Sequence, residues 1–239
     1  MIALIKYHLQ LFLRSGRFFL PFLLWTFTLL FVFQDKNASL SGNMLILLSV
    51  LYICMAMVGY FYMNAEQNEM AADQVMIFHT KSMLYYNLSK NLFLDLVSFI
   101  MSMYGGGAAI LWYLFRMGTA KDGMIFRDFL IFVAALWLFG CVGAMQGALL
   151  HPRLIWNKAL SLCALMGTVL LTFIKLSIVD KAGSIQVFLR CLLPPNSEIM
   201  QYFGGGNADR NIGLLLLWLG VYSMILPVIQ CTLLERKRY

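Results

Sequence analysis

The chain has 239 residues, of which 61% are hydrophobic and only 12% charged. A soluble domain carries about 25% charged residues, so a single water-soluble core is excluded and lipid is the solvent. The net charge of +7 suits the anionic inner leaflet of a membrane better than nucleic acid.

Residues 1–17 read as an interfacial helix. Lys6, Gln10, Arg14 and Arg17 fall within about 80° of one another at helical spacing. Ile5, Leu9 and Phe12 lie on another sector. A basic stripe beside an apolar face suits a helix lying on the inner leaflet. A frayed extension of the first span is the simpler alternative. Lys6, His8, Gln10 and Arg14 interrupt any signal-peptide apolar region, so no cleavable leader is expected.

Six windows reach the length of about 20 apolar residues that a bilayer requires. They run over about 18–34, 43–63, 92–115, 129–150, 159–179 and 212–234. The alternation of β-barrel strands is absent, so the windows are helices. The expected fold is an all-α integral membrane protein of six transmembrane helices, a single domain over 1–239. Six spans put both ends on one side. Lys6, Arg14 and Arg17 at one end and Arg236, Lys237 and Arg238 at the other place that side in the cytosol.

The first two windows are joined by a short outer loop, QDKNASLS, whose Asn37 sequon carries no weight. Residues 64–82, NAEQNEMAADQVMIFHTKS, are the clearest polar insert on the cytosolic side. Glu66, Glu69 and Asp73 share one helical face, with Ala71, Val75 and Phe78 elsewhere. The insert reads as an amphipathic helix, either a solvated acidic face or a docking element.

The third span carries Gly105, Gly106 and Gly107, which mark a flexible point or, more simply, a close helix contact. Asp95 follows Lys90 closely and is expected near the inner surface. In the fourth span Gly143-Ala-Met-Gln-Gly147 is a GxxxG pattern that lets two helices approach, with partner and register open. The loop HPRLIWNK (151–158) is short and basic, and Trp156 suits an interface. Lys175 lies about 25 Å along the helix from Lys158, near the outer surface, where it can snorkel. Asp95 and Lys175 are the intramembrane charges, and such groups are candidates for a pathway or gate. Residues 180–210 form an outer re-entrant segment in which Pro194-Pro195 stops any helix.

Several chemistries are missing. The form GxxxxGK[ST] does not occur, so no cofactor is expected on this chain and ATP and Mg would be handled by another. HExxH, GxSxG and paired His and Cys ligands are absent, which points away from an enzyme and from a metal site. The five cysteines contain no CxxC and read as packing residues. A channel filter and paired broken helices of a secondary transporter are not evident.

The order of parts resembles the six-span permease subunit of ABC-2-type exporters. The segment from Glu66 to Ser82 corresponds to that family's first coupling helix. Ser89-Lys90 is similar to the small-residue–Lys pair opening its third span. LLPPNSEIMQYF (192–203) resembles its proline-marked outer helices. The small size is similar to permeases of bacterial peptide-toxin and bacteriocin exporters, the phenol-soluble modulin exporters being the narrowest match.

The resemblance implies a multi-pass protein of the bacterial plasma membrane with cytosolic termini, and a dimer with a second permease copy or paralogue. It also implies an ABC ATPase seated on Glu66, Glu69, Asp73, Phe78, His79, Lys81 and Arg153. The cargo it implies is an amphipathic or hydrophobic substrate, with a cytolytic peptide as the sharpest form. The alternatives are a six-span secondary transporter or substrate-binding subunit without ATPase coupling, and a membrane enzyme or assembly factor.

Overall fold

The computed structural model describes residues 2–16, 18–34, 40–63, 83–115, 126–152, 154–155, 157–179, 181, 193–204 and 211–236. Eight helices appear among them: α1 (Ile2–Arg14), α2 (Phe19–Gln34), α3 (Leu40–Met63), α4 (Met83–Phe115), α5 (Phe126–Leu149), α6 (Lys158–Val179), α7 (Asn196–Phe203) and α8 (Ile212–Arg236). Stretches of α3, α4, α5, α6 and α8 are each long and apolar enough to cross a membrane. The chain is thus a helical, multi-pass membrane protein. The 16 residues of α2 rise only about 24 Å, short of a bilayer core. The α1–α2 pair, bent by 80°, meets the criterion only when taken together. Among the described residues the chain therefore has five spans, or six where the bent α1–α2 pair is counted as one.

The centre of the bundle is the pair α3 and α5. Gly143 faces the Tyr52 carbonyl, where an added Cβ would lie 2.5 Å from the oxygen. Gly147 faces the Ala56 carbonyl and the Tyr60 amide, and Gly59 faces the Ala144 carbonyl. The GxxxG pattern therefore has its partner, and the contacts advance together along both chains, so the two helices run parallel. Backbone-to-backbone packing of this kind is the main route to helix association where lipid offers no hydrophobic drive.

Helix α4 crosses the flank of this pair in the opposite sense to α5. It is continuous for 33 residues and passes unbroken through Gly105–Gly107. The close-contact reading holds for two of the three glycines. Gly105 leaves room for the ring of Trp25, and Gly106 receives Val133 with no space for a Cβ. Indole groups tie α2 to α4 reciprocally: Trp25 Nε1 donates to the Met101 carbonyl at 3.3 Å, and Trp112 Nε1 to the Phe33 carbonyl at 3.0 Å. Each bond satisfies a ring N–H that lipid could not.

The third span was expected to begin at 92, yet α4 starts at Met83. Asn87, Ser89, Lys90 and Asn91 look too polar for a membrane segment. They are buried against protein rather than lipid, so hydropathy is the wrong measure for them. At the other helix ends the windows and the helices agree within a few residues. Asn157 caps α6, its Oδ1 accepting the Ala159 amide at 2.9 Å. The lipid-facing surface is apolar, with Phe27, Leu30 and Phe31 on α2 and Leu217, Met224 and Val228 on α8 all strongly exposed.

Candidate functional site

At one end of the bundle α1 lies on α4. Its buried stripe is His8 and Phe12, opposite the basic stripe, while Lys6, Gln10 and Arg14 remain exposed. Leu9, expected on the apolar face, is 38% exposed, because the packing centre is rotated toward His8. Two things make a histidine acceptable there. His8 Nε2 is 2.9 Å from Ser89 Oγ, and its ring is surrounded by Tyr7, Tyr62, Tyr86 and Phe93. Lys90 is buried beside it, its ammonium 4.7 Å from the Tyr86 ring centre. Ser89-Lys90 therefore opens this region as a packed junction rather than a surface.

A side-chain bond of this kind contributes about 0.5–1.5 kcal/mol net, and an orphaned partner costs more. His8→Ala should accordingly loosen α1 and speed tryptic cleavage at Lys6 and Arg14, read by limited proteolysis of the detergent-solubilised protein. An unchanged cleavage rate would show that the junction does not hold α1.

Tyr62 and Tyr86 also bracket the polar insert, since α3 ends at Met63 and α4 begins at Met83. Both attachment points of residues 64–82 thus sit against His8 of α1. The insert itself lies outside the described residues, and with it Glu66, Glu69, Asp73, Phe78, His79 and Lys81. Arg153 is outside them as well.

Nearby, Asn91 Nδ2 reaches Cys231 Sγ at 3.7 Å, and Gln230 Nε2 donates to the Ala148 carbonyl at 3.2 Å. These bonds hold the ends of α4, α5 and α8 together. A mid-bundle polar knot joins α3, α5 and α6. Tyr52 of α3 donates to Gln146 of α5 and lies 3.1 Å from Thr172 of α6. In a bilayer these groups must satisfy one another, and they seat α6 on the central pair.

At the opposite end α7 is packed across the bundle. Phe203 meets Phe132 of α5, and Gly204 meets Leu45 of α3. Lys175, expected to snorkel, is instead 1% exposed. Its ammonium pairs with Glu198 Oε1 at 2.9 Å and donates to the carbonyls of Leu193 at 3.0 Å and Pro194 at 3.1 Å. Ser197 Oγ donates to the second carboxylate oxygen at 3.0 Å. An ammonium has three donors, and here each has an acceptor. The Pro194-Pro195 turn aims those carbonyls and the first turn of α7 back at α6.

Asp95 is half-buried on α4, at the level of Cys141 on α5. Cys141 stands two turns before Leu149, roughly 12 Å inside that end of α5. Lys90 is buried, so it does not by itself mark a membrane surface close to Asp95. Among the described residues no basic group pairs with it. The structure thus keeps Asp95 and Lys175 in separate places, one in the half of the bundle nearer α1 and one at the opposite end beside α7.

Glu198, His8 and the Tyr52–Gln146–Thr172 knot were not singled out from sequence. Gln146 within the GxxxG and Glu198 just after the proline pair were the available signals. Among the described residues no group of three His, Cys, Asp or Glu side chains could hold a metal ion. Comparison of the chain with family models, with curated proteins and with solved structures found no match.

Proposed function

We propose that the chain is the transmembrane permease subunit of an ATP-driven exporter, working with a separate ATPase and a second permease. The observation that supports this best is the composite face at the α1 end. The polar insert leaves from Met63 and returns at Met83, and both flanks of the insert pack on His8 of α1. A movement imposed on the insert from outside would be felt at once by α1, α3 and α4. That is the mechanical property an ATPase-docking element needs. The exposed basic stripe of α1 would hold this face at the inner leaflet, which suits a six-span layout with cytosolic termini.

In this reading the partner binds and hydrolyses ATP. This chain contributes acidic contacts at Glu66, Glu69 and Asp73, a rigid α3–α5 centre that transmits displacement, and an outer closure built on Lys175 and α7. An amphipathic peptide is the preferred cargo, since the exposed flanks of α2, α4 and α8 are apolar and aromatic.

Charge reversal of Glu66, Glu69 and Asp73 together should abolish recovery of the ATPase on affinity purification and stop ATP-dependent export from inverted vesicles. The bundle itself should stay folded, judged by its elution profile. Purification of the chain alone, with substrate movement that ignores ATP, would remove the proposal in favour of a secondary transporter.

A further inference from the structure

Asp95 is half of a geometric pair. Asp95 and Phe99 are one turn apart on α4, and Trp137 and Cys141 are one turn apart on α5, so each pair shares a face. The helices are antiparallel, and the pairs meet level by level. Cys141 stands level with Asp95, while Phe99 and Trp137 meet edge to face at 5.6 Å. Ser98 locks the register by donating to the Trp137 carbonyl at 2.9 Å, and Gly140 leaves the space for it. Phe99 is 42% and Trp137 40% exposed, and Asp95 is partly exposed beside them. The result is a carboxylate and two aromatic rings on the outer flank of the bundle, within the apolar thickness of the membrane and bordered by the exposed Leu92 and Leu96.

Intramembrane carboxylates almost always face a bundle interior, a water-filled cavity or an opposite charge. This one lies partly exposed at the rim of the α4–α5 contact, with no cation beside it among the described residues. A second copy of the chain does not offer one at this depth from its described spans. Lys175 is committed to Glu198 and Lys90 is buried over Tyr86. Arg127, Lys158 and Arg236 stand at helix ends. A carboxylate next to an indole and a phenyl ring is the chemistry that selects an ammonium or guanidinium group, by charge and by attraction to the ring faces.

We propose that Asp95, Phe99 and Trp137 form a binding patch for a lysine or arginine side chain of an amphipathic peptide embedded in the membrane. The apolar surround takes the peptide's hydrophobic face, and Asp95 takes the cation that its polar face would otherwise have to leave in water. Calling the peptide a cargo rests on the exporter reading; the binding does not.

The test uses the full chain in nanodiscs of zwitterionic lipid and a fluorescent helical Leu/Ala peptide bearing one central lysine. The same peptide with glutamine at that position, and nanodiscs without protein, serve as references. The lysine peptide should bind the protein roughly tenfold tighter than the glutamine peptide. Asp95→Asn should erase that preference while leaving glutamine-peptide binding unchanged. Asp95→Glu should restore it, and Trp137→Leu should reduce it several-fold. A lysine preference that survives Asp95→Asn, or its absence from the unmodified protein, overturns the patch. So does a second membrane chain that co-purifies, blocks the peptide and is lost on Asp95→Asn, since that chain would be the occupant. If no ATPase is recovered yet Asp95 governs peptide binding, the exporter reading fails and the patch stands. If export is ATP-coupled and indifferent to Asp95, the reverse holds.

Discussion

Lys175→Met should be among the most destabilising single changes in this protein, and Lys175→Met combined with Glu198→Gln should recover much of the loss. The reason is an asymmetry of buried charge. In place, the ammonium has Glu198 and two carbonyls, and the carboxylate has the ammonium and Ser197. Removing only the lysine leaves a carboxylate that is 8% exposed without its counter-ion, and orphans the carbonyls of Leu193 and Pro194. Breaking one side of a buried pair costs about 3–5 kcal/mol, whereas replacing both sides is often near neutral. Glu198→Gln alone should be milder, because Lys175 keeps both carbonyl acceptors. Thermal unfolding of the four proteins in one detergent measures the cycle. Additive effects of the two single changes would mean that the pair does not act as a unit. Loss of Lys175 should also free α7 from α6, since the lysine is what ties the turn before α7 to the bundle. Faster proteolysis around Leu193 in the single variant is the local counterpart of the global shift.

How much of this was legible in the sequence depends on the range of the interaction. Composition and window length suffice for a helical membrane protein, and they place α3, α5, α6 and α8 within a few residues, because lipid imposes one local rule on each span. That rule fails wherever protein replaces lipid. Asn87, Ser89, Lys90 and Asn91 score as non-membrane, yet they extend α4 because they are buried in protein, where His8 of α1 reaches Ser89 and Cys231 of α8 reaches Asn91. Lys175 satisfies the rule for a snorkelling lysine, but its partner follows a proline turn whose direction no local pattern reveals. The same holds for His8, an unpromising apolar-face residue until Ser89 is placed beside it. The glycines were legible as places of close approach and illegible as to what approaches, since register between helices is a property of the whole bundle. Asp95 was visible as an intramembrane charge, but its aromatic neighbours are set by the α4–α5 register.

Gly147→Leu should separate α3 from α5 and prevent a monodisperse protein from being recovered, and Gly147→Ala should already be costly. A Cβ at this position would press on the Ala56 carbonyl and lie 2.8 Å from the Tyr60 amide nitrogen. Both obstacles are backbone atoms of a neighbouring helix, so no rotamer change relieves them; the helices must move apart. Inserting atoms into a well-packed core usually costs about 1–3 kcal/mol. Here the shift would also stretch the bond from Tyr52 to Gln146 one turn away and draw α6 off the centre. Gly59→Ala opposes the Ala144 carbonyl across the same contact, so the two changes together should cost less than their sum, since the first separation already makes room for the second. The control is Gly220→Ala, where a Cβ meets nothing within 4 Å. There the gain in helix propensity, up to about 1 kcal/mol, should leave the protein as stable or slightly more so. Size-exclusion profiles and unfolding midpoints of the three alanine variants decide it. If Gly147→Ala behaves like Gly220→Ala, the parallel α3–α5 contact is not the packing centre of the protein.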